Sequence, residues 1–211
     1  MKNRLNNLMS VALLGSVVLL SSCSDDDAPA AENEEEEITS VTLTFTPDGG
    51  GTPVVATWFD IDGEEGPIEA EQTEINLAAN TAYDLSIALL NTLTDEVEEQ
   101  NVTAEIQGED DEHMFFFGFT SDVFTSPTGD GNIGASSRND EMNYGDDDGT
   151  LPLGLLTSWE TGAAASGSTF TVILKHQPPL EEGGTPQKTA TSTSLTGDSD
   201  IDLDFVLNIN E

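Results

Sequence analysis

From Asp200 to Ile209 apolar and polar residues alternate: Ile201, Leu203, Phe205, Leu207 and Ile209 fall on one face, and Asp200, Asp202, Asp204 and Asn208 on the other. A period of two cannot be laid on a helix without scattering the apolar groups around it, so this segment reads as a half-buried strand. The same period recurs at Val41, Leu43 and Phe45, with Thr42, Thr44 and Thr46 opposite, and at Tyr83, Leu85, Ile87 and Leu89 within Ala82–Leu90. Further strands are expected at Val54–Phe59, Thr73–Leu77, Leu151–Trp159 and Thr169–His176. Asp48-Gly49-Gly50-Gly51 reads as the turn of a hairpin.

Phe115-Phe116-Phe117-Gly118-Phe119 is continuous rather than alternating, which predicts a strand buried on both faces and placed centrally in the sheets. Asp95–Gln107 is the one segment whose Glu-rich composition favours a short helix. Ser121–Gly149 and Gln177–Thr196 are rich in turn formers and read as long connections. With no strand–helix alternation, the expected fold is all-β: an antiparallel, immunoglobulin-like β-sandwich of about eight strands with one short helix, occupying residues 38–211.

Five Lys and Arg stand against 41 Asp and Glu, a formal net charge of −36. Such a chain has no basic patch with which to displace phosphate counterions, so nucleic acid is excluded as a partner. The acid surplus has two readings: a soluble surface suited to saline water, or a surface that concentrates cations. A single cysteine excludes an intramolecular disulfide framework and a multi-cysteine zinc site.

That cysteine has a specific context. Lys2 and Arg4 precede an apolar stretch, Leu8–Leu20, that is too short to cross a bilayer but suits a secretory signal. It ends in Leu20-Ser21-Ser22-Cys23, which resembles the lipobox of bacterial lipoproteins. The resemblance implies cleavage after residue 22 and lipidation of Cys23, where two or three acyl chains hold a protein that a single chain would not. Ser24-Asp25-Asp26-Asp27 resembles the acidic export signal of Bacteroidetes surface lipoproteins, which implies a lipid anchor in the outer membrane with the protein facing the medium. Residues 23–37 lack core-forming side chains and are expected to be a disordered acidic tether.

Beyond the leader, several stretches are similar to small lipoproteins of marine Bacteroidetes: Val41–Pro47, Leu77–Tyr83, Ala88–Asn91, Glu112-His113 before the phenylalanines, Leu174–Pro178 and Asp200–Phe205. Such proteins sometimes carry the label type 1 periplasmic binding fold. That fold needs two α/β lobes and about 250 residues, which a strand-built chain of this length does not supply. The resemblance implies lipoprotein status and strand order rather than an activity.

Candidate chemistry rests on few residues. His113 and His176 are the only histidines, and with Glu112, Asp111 or Glu109 they form a donor set suited to Zn²⁺ or Cu²⁺. The bland alternative is that each imidazole closes a strand end. Asp60, Asp62 and Glu64, Asp130 and Asn132, and Asp146-Asp147-Asp148 offer hard oxygen ligands for calcium, without the 12-residue EF-hand pattern. Trp58 and Trp159 are candidates for stacking on sugar rings or for plain packing. No nucleophile elbow or phosphate loop appears, and carboxylates are too numerous for any pair to signal a glycosidase. The expectation is a non-enzymatic surface binding module that captures a metal ion or metal complex for a TonB-dependent transporter. Its alternative is a structural or adhesive protein with calcium-binding loops.

Overall fold

The computed structural model describes residues 36–63, 66–127, 143–144, 151–180, 184–189 and 192–211. Cys23, the Ser24–Asp27 signal, Glu64, and the acidic groups at 130–132 and 146–148 lie outside the described residues. The chain folds as two curled sheets packed face to face, an all-β sandwich. Its elements are β1 (Ser40–Pro47), β2 (Val54–Phe59), β3 (Glu71–Gln72), β4 (Ile75–Ala78), β5 (Ala82–Leu90), α1 (Val97–Gln100), α2 (Val102–Gly108), β6 (His113–Phe119), β7 (Phe124–Ser126), β8 (Asn143–Tyr144), β9 (Leu156–Thr161), β10 (Ala165–His176) and β11 (Asp198–Asn210).

The larger sheet runs β3-β2-β1-β5-β9-β7, with β8 also paired to β9, and the smaller runs β4-β11-β10-β6. The alternating residues of β1 and β5 face inward as expected: Val41, Leu43, Phe45, Tyr83, Leu85, Ile87 and Leu89 are all buried. Opposite them lie Phe170, Val172 and Leu174 of β10 with Phe205, Leu207 and Ile209 of β11. Nearly all pairing is antiparallel, but β4 runs parallel to β11, from Ile75 opposite Leu207 to Ala78 opposite Asn210. The expected helix forms as two short consecutive pieces, α1 and α2, and α2 buries Val102 and Ile106 against the sandwich.

The phenylalanine strand departs from expectation in one respect. All seven residues of β6 are buried, yet β6 is the last strand of its sheet rather than a central one. Phe115 and Phe117 enter the main core, whereas Met114 and Phe116 form a small second cluster with Ile173 on the opposite face. The free edge is closed by chain rather than by a strand, since the Phe115 N–H donates to the Leu153 carbonyl at 2.8 Å. Covering an edge in this way removes the template for association that an exposed aromatic strand presents.

At the centre of the sandwich Trp159 sits among Phe117, Phe119, Phe124 and Phe170, with ring centroids 4.8–5.7 Å away. Its indole N–H donates to Thr157 Oγ1 at 2.7 Å, so its one polar group is satisfied inside the core. Trp159 is therefore packing, not a sugar platform. Phe170 touches Phe45, Phe117, Phe124 and Trp159, linking both sheets. Phe170→Ala is expected to cost about 3–5 kcal/mol of stability in urea unfolding. A loss below about 1 kcal/mol would contradict a core centred on this ring.

Candidate metal centre

The site lies where β6 begins and β10 ends. Antiparallel pairing sets Phe170 opposite Phe119 and continues without a slip to His176 opposite His113. The two histidines, 63 positions apart in the sequence, are thus cross-strand partners. Their rings stack with centroids 4.3 Å apart and planes 8° from parallel. His113 is fully buried and His176 nearly so.

Each ring has one nitrogen engaged and one without a hydrogen bond. His113 Nδ1 is 3.3 Å from the Glu109 carbonyl oxygen, an acceptor only, which selects the Nδ1–H tautomer. Its Nε2 is buried and makes no hydrogen bond. His176 Nε2 is 3.4 Å from Glu112 Oε2, which selects the Nε2–H tautomer and leaves Nδ1 buried without a hydrogen bond. A histidine oriented through one nitrogen by an acceptor, with the other nitrogen bare, is the arrangement in which imidazole ligates metals.

Two carboxylates face the bare nitrogen of His113. Glu36 Oε1 is 3.6 Å from Nε2 and Asp200 Oδ2 is 3.8 Å from it. Glu36, His113 and His176 each place a ligand atom within 4.8 Å of the others. Ligands of a tetrahedral ion held at about 2.1 Å lie roughly 3.4 Å apart, so binding requires the group to contract. Near-parallel rings direct their lone pairs along separate planes, so one ring must also tilt.

The structure places Glu112, expected as a ligand, on His176 Nε2 and outside this three-residue group. Two contributors escaped the sequence reading. Glu36 belongs to an acidic run that reads as tether, and its only distinguishing mark is its position two residues before buried Ile38. Alternation places Asp200 on the solvent face, yet its side chain is fully buried. The cause is a register shift: Leu174 pairs with Ile201 but Lys175 pairs with Ser199, leaving Asp200 as the extra residue of a bulge. A bulge re-aims the side chain it carries.

The surrounding loops hold this strand end. Gln177 N–H donates to the Glu112 carbonyl at 2.7 Å, and Gln177 Nε2 donates to the Thr196 carbonyl. Lys175 Nζ donates to the Gly197 carbonyl and to Ser199 Oγ, and Lys188 Nζ donates to the Asp110 carbonyl. Gly197 is required by its neighbours: φ is +77°, and a Cβ there would lie 2.0 Å from the His176 carbonyl oxygen.

Burial dominates the electrostatics. It lowers His113 to about 4, with the neighbouring His176 and Lys188 charges acting in the same direction and the Glu109 carbonyl opposing. It raises Glu36 to about 7, assisted by Glu105, Asp200 and Glu109. Glu109 is also raised, by burial first, against the opposing pull of His176. Between about pH 4 and pH 7 the carboxyl of Glu36 is therefore the group that holds a proton, and the imidazole of His113 is neutral.

Comparison with family models, curated proteins and solved structures returns no match, so the functional reading rests on this geometry and the sequence.

The two shifts act oppositely on stability. From about pH 4 to 6.5 the unfolded chain holds a proton that native His113 does not, so this contribution falls as pH falls. From about pH 4.5 to 7 native Glu36 holds a proton that the unfolded chain does not, so its contribution falls as pH rises. Glu36→Gln removes only the second effect. The melting temperature of the variant relative to wild type is expected to be higher at pH 8 than at pH 5. An equal difference at both values would contradict a buried, protonated Glu36.

Proposed function

We propose that this protein is a lipid-anchored, surface-facing, non-enzymatic binding module that captures a divalent transition-metal ion and presents it to a TonB-dependent transporter in the outer membrane. The observation that carries this reading is the grouping of Glu36, His113 and His176 with two buried ring nitrogens, His113 Nε2 and His176 Nδ1, that make no hydrogen bond. Leaving buried polar atoms unmatched costs about 1–3 kcal/mol each, and a bound cation offsets that cost. Two imidazoles and a carboxylate suit Zn²⁺ or Cu²⁺, with Cu²⁺ held more tightly by the usual affinity order. Binding replaces the proton on Glu36, so uptake releases a proton and strengthens as pH rises.

The anchor is supported by the lipobox-like Leu20–Cys23 and the acidic Ser24–Asp27. Thirteen residues lead from Cys23 to Glu36, a contour of at most about 45 Å, so an anchored chain keeps its centre within reach of proteins in the same membrane.

Calorimetric titration of metal-free protein is expected to show one Zn²⁺ or Cu²⁺ per chain at micromolar or tighter affinity. His113→Ala and His176→Ala should each abolish it, while Glu112→Gln should weaken it by about 10- to 100-fold through the lost orientation of His176. Undiminished binding in both histidine variants would overturn the centre. Calcium binding that ignores both histidines, without transition-metal binding, would favour the structural alternative built on Asp60 and Asp62.

Mass spectrometry of the mature protein is expected to find an acylated Cys23 at the amino terminus, and Cys23→Ala should be recovered away from the membrane fraction. An unmodified thiol on the mature chain would refute the anchor.

A further inference from the structure

The two ends of the sandwich differ in what they expose. At one end are the turns 48–53, 79–81, 120–123 and 162–164, and none of them carries an exposed large apolar side chain. At the other end are the connections after β2 and β5, the helix α1 and the connection from β10 to β11. Here Ile61, Ile68, Leu93, Val97, Leu180 and Leu195 are exposed, and Val97, Leu180 and Leu195, at 78%, 83% and 90%, are the most exposed large apolar residues among those described. Pairing fixes the placement. Ser40 at the start of β1 stands opposite Phe59 and Leu90, the last residues of β2 and β5. His113, His176 and Asp198 stand side by side at the ends of β6, β10 and β11. Glu36, which precedes β1, reaches His113 at 3.6 Å, so both sheets present these ends together.

Single apolar side chains in water are ordinary, but six gathered at one end, with none on the opposite turns, mark a contact surface. The connections are neighbours: a Cβ at Gly63 would lie 3.0 Å from Leu93 Cδ1, and Gln177 Nε2 donates to the Thr196 carbonyl at the base of the connection that carries Leu180 and Leu195. What covers the surface follows from the chain that enters it. Glu36 and Glu37 lie at this end, with Glu37 Oε2 accepting from Asn91 Nδ2 at 3.4 Å. Cys23 is thirteen residues earlier, so a bilayer holding its acyl chains is at most about 45 Å away. A tether of that length raises the effective concentration to about the millimolar range, where weak contacts suffice. The apolar groups stand on separate connections rather than on one packed face, which suits a fluid headgroup layer better than a shaped protein pocket. Glu37, Glu96 and Glu99 are exposed among them and repel anionic lipid, so the matching surface is zwitterionic.

We propose that this end of the sandwich docks on the zwitterionic surface of the bilayer that holds the anchor, with Val97, Leu180 and Leu195 dipping into the headgroup layer. The proposal rests on the lipid anchor of the preceding reading and is independent of metal binding. Docking in this sense turns the His113–His176 end toward the membrane, so a captured ion is held against the surface in which a transporter is embedded.

The test uses the mature protein, its Cys23 acylation verified by mass spectrometry, reconstituted in phosphatidylcholine vesicles with and without brominated lipid. With Cys23 acylated, an introduced cysteine is the sole free thiol, so Val97→Cys, Leu195→Cys and Gly49→Cys can each carry one polarity-sensitive fluorophore. Gly49 lies on a turn at the opposite end, where an added side chain meets open space. Emission at 97 and 195 should shift to the blue and be quenched about twofold or more by brominated lipid, while the probe at 49 stays as in water. Leu180→Glu, at an exposed site that leaves the fold intact, should reduce the quenching at 195, and so should replacing half of the lipid by phosphatidylglycerol at low salt. Equal quenching at all three positions, or none at 97 and 195, would overturn the proposal. A shift in native outer-membrane vesicles that is absent from lipid-only vesicles would assign this end to a protein partner and overturn the lipid surface as its occupant. The two readings separate at Cys23: an unmodified thiol removes the anchor and the docking with it, whereas an acylated chain whose probes all stay in water overturns the docking alone.

Discussion

The pairing of β6 with β10 is the constraint on which the site depends. Seven consecutive partners, from Phe119 opposite Phe170 to His113 opposite His176, are held in one register by aromatic residues that fit only one way into the core. A slip by a single residue would turn Phe115 and Phe117 out of the sandwich and separate the histidines. The energy that fixes the imidazoles against each other is thus hydrophobic and lies some distance from them, in the Trp159–Phe170 cluster. Burial then does the chemical work, since a dry environment keeps His113 neutral and raises the Glu36 carboxyl to about 7.

Much of the sandwich was legible in the sequence because its strands follow period two. β1, β5 and β11 present the faces that alternation assigns to them, and the Glu-rich stretch after β5 is helical. The edge position of β6 was not legible, because continuous burial reads the same whether a neighbouring strand or a covering segment supplies it. The parallel pairing of β4 with β11 was likewise hidden, since alternation carries no direction.

The site was half legible. Both histidines could be singled out by their rarity, and the end position of His176 followed from alternation along β10. Their contact could not, because 63 residues of sequence carry no information about cross-strand register. Glu36 was masked by its neighbours: among successive glutamates only the folded chain distinguishes the one that turns inward. Asp200 was misplaced because a bulge breaks the parity that places every other residue of β11. In both cases the residue that breaks a local rule is one that the site recruits, and such violations gather where a protein binds something.

Within a chain so rich in acid, the local arrangement matters more than the total. The two lysines of the described residues are both engaged by backbone carbonyls at this same end of the fold, where they tie loops around the histidines instead of neutralising the surface. Carboxylates are left to dominate the approach to the centre. The central claim is that His113 is a neutral imidazole with its proton on Nδ1, stacked on His176 and grouped with Glu36 as ligands of one ion. Nitrogen-15 NMR of the two rings tests this most directly. At pH 6 His113 should be the neutral Nδ1–H form, and addition of Zn²⁺ should move the resonances of His113 Nε2 and of the His176 ring together. A protonated His113 at that pH, or bare nitrogens indifferent to the metal, would contradict the account.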